Sequence, residues 1–357
     1  MNLRRLVALL LLGPCAPVLA ADADRELAAA LQAMRTGDFA NAELHAAAAL
    51  AYAPDFALAA ALQVDVARLK AGLGSRLAGD LDDLADDSER RAWLQWRDEA
   101  RQRSLALRVG TYAAGLHAVP ATIDELLIAE TDRSQLHVVT RGADGWRVTV
   151  THYLSIGRRG IGKQRAGDRR TPLGLYWIVD RLEDRQLPAR YGPLAFPLDY
   201  PNDWDRRKQR RGDGIWLHGT DPATYARPPR DSDGCLVLSD EDLLSVRERI
   251  VIGETPVIVA RRWSFADRPS ASDELPAVRA AIDAWVRAWQ RESGERAPSK
   301  LAVAELFVAD YPSEAGLVMA RFRLIADVAG VSRSTRKRLY LALSEAGQWT
   351  VVADGSG

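Results

Sequence analysis

The chain has 357 residues, more than one ordinary hydrophobic core accommodates, so two or three domains are expected. Its 48 lysines and arginines are balanced by 48 aspartates and glutamates. A formal net charge of zero gives no electrostatic basis for nucleic acid or an anionic membrane as the main partner.

The first twenty residues have the order of an export signal: Arg4 and Arg5, an apolar run from Leu6 to Leu12, Gly13-Pro14, then Val18-Leu19-Ala20 before Ala21-Asp22. Residues 1–20 are therefore expected to be removed after Ala20. The mature chain is expected to carry no transmembrane span and to work in the periplasm or cell envelope. Cys15 lies within the signal, and Pro14 before it fits lipid attachment poorly. Without the signal, Cys235 is the sole cysteine. An unpaired thiol in an oxidising compartment is a liability unless it has a use.

Residues 24–115 read as helical, rich in Ala and Leu without a long β-branched run. Gly37-Asp38-Phe39-Ala40-Asn41-Ala42, Ala49-Leu50 and Pro54 have the spacing of a tetratricopeptide helical hairpin. Further helices are expected over Phe56–Ala71 and Glu89–Leu105. A single hairpin cannot bury its own face, so it should pack on these neighbours, as a helical prop more than a concave docking surface. The acidic cluster Asp80, Asp82, Asp83, Asp86 and Asp87 reads as a solvated face.

Gly115–Pro120 looks like a linker, after which the period becomes alternating. Leu126–Ile128, Gln135–Val139, Trp146–Val150 and His152–Gly157 read as strands, with a hairpin turn at Gly142-Ala143-Asp144-Gly145. Thr171–Val179 resumes as a turn and strand, with Pro172 at its start. The stretch from Asp184 to Gly214 holds aromatic and basic residues, among them Tyr191, Trp204 and Arg211, and reads as a substrate lid from Tyr191 to Arg211. Ser239 with Asp240-Glu241-Asp242 opens a helix to Arg249, and Thr255–Ala260 closes a mostly β domain over 121–262. Residues 263–275 read as a polar linker. The last domain, 276–357, pairs an amphipathic helix, Val278–Arg291, with strands near Glu305–Tyr311, Gly316–Asp327, Thr335–Leu343 and Trp349–Val352. Arg321 and Arg323 alternate with Ala320, Phe322 and Leu324, as in a strand with one buried face.

The chemistry is concentrated in two short runs. Ile215-Trp216-Leu217-His218-Gly219-Thr220 is an apolar strand closed by a histidine, and Ser232-Asp233-Gly234-Cys235 precedes another apolar strand. The loop between them can bring imidazole and thiol together, so that His218 takes the thiol proton or stabilises a thiolate. Gly234 allows a tight turn beside the thiol, with successive N–H groups available to an oxyanion. The competing reading is a buried structural cysteine beside a core histidine. The five histidines are scattered, with no HExxH or CxxC spacing, and no metal or other cofactor is expected.

The motifs Ser155-Ile156-Gly157, Gly167-Asp168, Thr171-Pro172-Leu173-Gly174-Leu175-Tyr176, His218-Gly219 and Ser232-Asp233-Gly234-Cys235 occur in the order of the YkuD-type L,D-transpeptidases, which the segment from Ile123 to Arg261 resembles. The chain looks closest to a bacterial branch with SDGC at the nucleophile and a C-terminal domain related to the nuclear transport factor two and SnoaL fold, here signalled by Arg336–Tyr340 and Gln348–Val352. The fold implied is multidomain: an α-helical N-terminal region, a central mostly β catalytic domain and a C-terminal α+β cone-like domain.

The resemblance implies a cysteine acyltransferase acting on peptidoglycan stem peptides. Cys235 would be the nucleophile, His218 its base and the Gly219 carbonyl the group that orients the imidazole. The N–H groups around Gly234 and Cys235 would form the oxyanion site, with Ser232 and Asp233 in its loop. Many family members have a histidine where this chain has Asp233 and an arginine where it has Val237. His218 alone must then activate the thiol, and Arg227 or Arg230, with Tyr191 and Trp204, become candidates for substrate contact. The thioester could be resolved by a neighbouring stem, by the lysine of an attached protein, or by water, the last making a hydrolase. A wall-binding module without catalysis is the alternative of a different class.

Overall fold

The computed structural model describes residues 19–183, 187–269, 272–292, 298, 300–328 and 331–356. The leader expected over residues 1–20, with Cys15, lies outside them except for Leu19 and Ala20. The chain divides after Trp93 into two compact units.

The first unit contains α1 (Leu19–Thr36), α2 (Phe39–Tyr52), α3 (Ala57–Lys70) and the start of α4 (Asp87–Arg103). Gly37 turns the chain with φ +75°, and Asp38 caps α2 by accepting the Asn41 N–H at 3.1 Å. Ala42, Ala46 and Ala49 are fully buried on α2, so its backbone can approach its neighbours, and Ala33, Ala42 and Val66 meet in one cluster. Within the acidic cluster, Asp83 accepts both guanidinium nitrogens of Arg76, at 2.6 and 2.8 Å.

The second unit is built of stacked sheets. Its elements are β1 (Tyr112–Ala113), β2 (Leu116–Ala118), β3 (Glu125–Glu130), β4 (Gln135–Arg141), β5 (Trp146–Tyr153), β6 (Ile156–Gly157), β7 (Gly174–Trp177), β8 (Leu182–Glu183), β9 (Leu194–Pro197), α5 (Asp203–Arg207), β10 (Trp216–His218), β11 (Arg230–Ser232), β12 (Leu236–Val237), α6 (Asp240–Arg247), β13 (Pro256–Ala260), β14 (Phe265–Ala266), α7 (Leu275–Glu292), β15 (Lys300–Asp310), β16 (Leu317–Val328), β17 (Val331–Leu343) and β18 (Trp349–Ser356). A seven-stranded sheet runs β14-β1-β5-β4-β3-β13-β7, a four-stranded sheet β12-β10-β9-β8, and a five-stranded sheet β18-β17-β16-β15-β2.

Alternation along the strands assigns each face to a core. Leu127 and Ala129 of β3, Tyr176 of β7 and Val257 and Val259 of β13 pack on Phe196, Leu217, Leu236 and Leu243, which carry the nucleophile strands and α6. The intervening residues Leu126, Ile128, Trp177 and Ile258 face the other way and pack on Phe307, Tyr311, Met319 and Tyr340 of the C-terminal sheet. That sheet's remaining face, with Val308, Val318, Ala320, Phe322 and Leu339, holds Val278, Ile282 and Val286 of α7. The seven-stranded sheet is therefore covered on both faces, which is why β3 and β13 read as unbroken apolar runs.

Three expectations need correction. The stretch Gly115–Pro120 is not a free linker: its Leu116–Ala118 is β2, the edge strand of the C-terminal sheet, paired antiparallel with β15. His117 fastens it, bonding Asp310 at 2.8 Å and Ser272 at 2.6 Å. The stretch 263–275 likewise contains β14, which pairs with β1 at the far edge of the seven-stranded sheet. Arg321 is not solvated either. It is buried over the Trp177 ring at 4.2 Å and donates to the Gly253 carbonyl at 2.9 Å, while Arg338 bonds Asp199 at 2.5 Å. Both faces of β16 are covered, one by α7 and one by the seven-stranded sheet.

Candidate active site

β10 and β12 are adjacent and parallel, with Leu217 opposite Leu236 and His218 opposite Val237. This parallel register sets His218 two positions along from Cys235 on the neighbouring strand, and both side chains are buried, His218 at 2% and Cys235 at 8% exposure. β9 supports β10 from the other side, with Leu217 opposite Phe196.

His218 Nδ1 lies 2.6 Å from the Gly219 carbonyl oxygen. A carbonyl only accepts, so Nδ1 carries the proton and Nε2 is left as the basic nitrogen. Gly219 is in turn held by its N–H, donated to the Tyr191 carbonyl at 3.0 Å. A side chain on Gly219 would run into the Asp240 carboxylate and approach Gly192 Cα at 3.3 Å. Asp240 is fixed there by the Thr220 N–H at 2.8 Å. The base is thus seated by backbone packing that only glycine permits.

The nucleophile turn is equally constrained. Gly234 has φ +128°, and a Cβ on it would come 2.7 Å from the Arg170 carbonyl oxygen. Ser232 Oγ donates to the Cys235 carbonyl at 2.8 Å and accepts the Gly234 N–H at 3.1 Å. Thr171, fully buried, accepts the Gly157 N–H and donates to the Gly234 carbonyl, both at 2.9 Å, tying the turn to β6. The thiol itself lies 3.4 Å from the Gly214 carbonyl.

Both groups are neutral at rest. Burial pushes the His218 imidazole down to about 3, with the nearby Arg227 and Arg190 cations adding to the effect. Burial likewise pushes the Cys235 thiol up to about 11, which the Trp216 N–H offsets only in part. Of the two roles read from the sequence, taking the thiol proton or stabilising a thiolate, these shifts favour the first.

A family model, YkuD, the L,D-transpeptidase catalytic domain, matches residues 124–259. That segment is a YkuD domain. Among solved structures, the chain is similar to the helical cell shape determining protein Pgp2 from Campylobacter jejuni, with TM-score 0.57 and 18% identity over 68% of this chain and 95% of that one. It is also similar to Bd1075 from Bdellovibrio bacteriovorus, with TM-score 0.53 and 18% identity over 69% of this chain and 98% of that one. No curated protein matches.

Of the aromatic and basic stretch expected as one lid over the YkuD site, the structure keeps only part there. Residues 184–186 lie outside the described ones. The 3₁₀ turn Ala189–Tyr191 stands over the base, with the Tyr191 ring edge-on to His218 at 4.9 Å and beside Trp216 at 5.1 Å. Leu194–Pro197 is instead core strand β9. Trp204, expected near substrate, is buried in α5 against the C-terminal sheet, stacked on Tyr340 at 5.3 Å and donating to Glu314 at 2.7 Å.

Arg227 lies close to the base but is not free: it donates to the Arg190 carbonyl and to the Asp231 carbonyl at 3.4 Å, pinning the Tyr191 turn. Arg230 is exposed on β11, opposite Ile156 of β6. Asp233 points outward, 3.7 Å from both Arg158 and Arg169. The Gly234 N–H, expected to face an oxyanion, is already taken by Ser232.

Sequence reasoning treated Asp240 only as a helix first-turn acid and Thr171 only as part of a motif. Their clasps around Gly219 and Gly234 leave no local pattern, since each partner is far along the chain. Among the described residues, His117, Glu274 and Asp310 each bring a ligand atom within 4.8 Å of the others and could hold a cation. Both His117 nitrogens are already bonded, to Ser272 and Asp310, so the group serves as a clasp for β2.

Proposed function

We propose that the protein is an exported cysteine acyltransferase of the cell envelope, an L,D-transpeptidase acting on the tetrapeptide stems of peptidoglycan through a Cys235 thioester. The observation that supports this reading is the parallel pairing of β10 with β12, which carries a buried thiol and a buried histidine on neighbouring strands, the histidine's Nδ1–H tied to the Gly219 carbonyl. The fixed tautomer leaves Nε2 to take the thiol proton.

Cys235 Sγ attacks the carbonyl between the diamino acid at stem position three and the D-alanine at position four while its proton passes to His218 Nε2. Attack and proton transfer occur together, because burial disfavours both separated charges. The C–N bond then breaks, His218 returns the proton to the departing amine, and D-alanine leaves. The Cys235 N–H is the oxyanion donor remaining after Ser232 has taken that of Gly234. An amine, from a neighbouring stem or an anchored protein, gives its proton to His218 and displaces the thiol; water in the same position makes the enzyme a carboxypeptidase.

Intact mass spectrometry during incubation with tetrapeptide muropeptides is the test. An adduct on the wild type, absent from Cys235→Ala, with D-alanine released, is the expected result. Product profiles then separate cross-linking from hydrolysis. Folded protein that forms neither adduct nor product from several stem peptides would instead be a wall-binding module.

A further inference from the structure

The clasp that holds β2 gathers more negative charge than it neutralises. His117 Nε2 lies 2.8 Å from an Asp310 carboxylate oxygen and 3.7 Å from one of Glu274, and a ligand atom from each of the three falls within 4.8 Å of the others. The ring nitrogen has one proton to give and Asp310 takes it, so Glu274 is held close by at a distance beyond a hydrogen bond. Among the described residues, His117 is the only ion-pair partner of either acid. Two carboxylates drawn to one imidazole repel each other unless a cation sits among them.

The surrounding chain prepares these atoms for a metal. His117 is fixed at its other nitrogen, Nδ1, by Ser272 Oγ at 2.6 Å, the kind of outer contact that sets the tautomer of a ligating histidine. Ser272 is itself anchored at the start of α7, where it accepts the Leu275 N–H at 3.2 Å, and the Glu274 carbonyl accepts the Val278 N–H at 3.0 Å. Asp310 donates its N–H to the Gly115 carbonyl at 2.9 Å. Gly115, at φ +71°, leaves room for the Asp310 carboxylate, which a Cβ would run into. β2, the start of α7 and the end of β15 thus present one ligand each. The His117 side chain is nearly buried and the two acids are about half exposed, so an ion can enter and keep water in its shell.

The spacing fits a small divalent ion. Around a tetrahedral centre with bonds of about 2.1 Å, ligand atoms lie about 3.4 Å apart, and the separations of 2.8 and 3.7 Å bracket that value. An imidazole nitrogen among oxygens suits zinc and its neighbours better than magnesium or calcium, which take oxygen ligands.

We propose that His117 Nε2, Asp310 and Glu274 bind one divalent transition-metal ion of the zinc class, with water completing its shell. The ion takes the place of the proton between His117 and Asp310. The imidazole then ligates through Nε2 and carries its hydrogen at Nδ1, donated to Ser272 Oγ, whose own hydroxyl hydrogen turns to water. The ion ties β2 to β15 and to the start of α7, and the site is independent of the acyl-transfer reading.

The test is a thermal melt of the untagged full chain carrying Cys235→Ala, so that the thiol does not compete for the probe, stripped with a chelator and dialysed before zinc, cobalt or magnesium chloride is added. With free zinc at about a hundred times its dissociation constant, the transition should move up by about 5 °C. Magnesium at the same concentration should leave it in place, and cobalt should develop visible d–d absorption that saturates at one equivalent. Glu274→Gln keeps the His117–Asp310 bond and removes a like charge, so without metal it should melt no lower than its parent. It should nonetheless lose the zinc shift and weaken cobalt binding by more than the roughly tenfold that loss of an outer-shell partner costs. No zinc shift in the parent, an equal shift from magnesium, or a zinc shift that survives Glu274→Gln overturns the proposal.

Discussion

At the residue scale, the site is governed by the removal of two titratable groups from water. A thiol raised to about 11 and an imidazole lowered to about 3 cannot form a stable ion pair at neutral pH. Alkylation of Cys235 by iodoacetamide should therefore keep rising with pH from 7 to 10; a plateau below pH 8 would contradict the neutral pair. The same shifts link to stability with opposite signs. His218, depressed in the folded state, contributes stability that is lost as pH falls from its ordinary value toward about 3, and Cys235, raised, contributes stability that is lost as pH rises through about 11. The urea midpoint of His218→Gln should accordingly depend less on acid than that of the wild type. Gly219→Ala drives a methyl group into Asp240 and shifts the carbonyl that seats the base. Turnover should fall on the order of a hundredfold with little change in fold, as seen by circular dichroism.

At the element scale, the adjacency of the His218 and Cys235 strands was legible because two apolar runs flank a loop of folding-back length. What escaped was everything that depends on a distant partner. Trp204 sits in a stretch rich in arginine and resembles a lid residue, yet its indole partner Glu314 is 110 positions away. β2 and β14 have three and two residues, too few to display a period. The first of these errors belongs to α5, which lies in the expected lid but is held by the C-terminal sheet. Trp204→Ala should cost about 3–5 kcal/mol of stability, as for a buried tryptophan, read from the denaturation midpoint. It should leave the iodoacetamide reactivity of folded Cys235 nearly unchanged, a combination that a lid residue would not give.

At the scale of the whole molecule, the central strands β3, β13 and β7 of the YkuD sheet are covered on both faces. Trp177, Leu126 and Ile258 are fully buried only because the C-terminal sheet lies on them. Residues 94–357 should unfold calorimetrically as one transition. A chain ending at Ala266 should bind hydrophobic dyes or precipitate, since it exposes a continuous apolar face. Recovery of that truncated chain as a soluble, fully active enzyme would sink this view.

β2 adds a matter of timing. It is synthesised before the YkuD domain but pairs with β15, and its clasp joins His117 to Asp310 across 193 positions. Closing so long a loop costs on the order of 5 kcal/mol in chain entropy before any contact compensates. The early strand must therefore wait, unpaired, until the last quarter of the polypeptide has emerged. Chain order itself then acts as a completeness check: a prematurely terminated polypeptide, though it contains both Cys235 and His218, lacks the partner that its own beginning is waiting for.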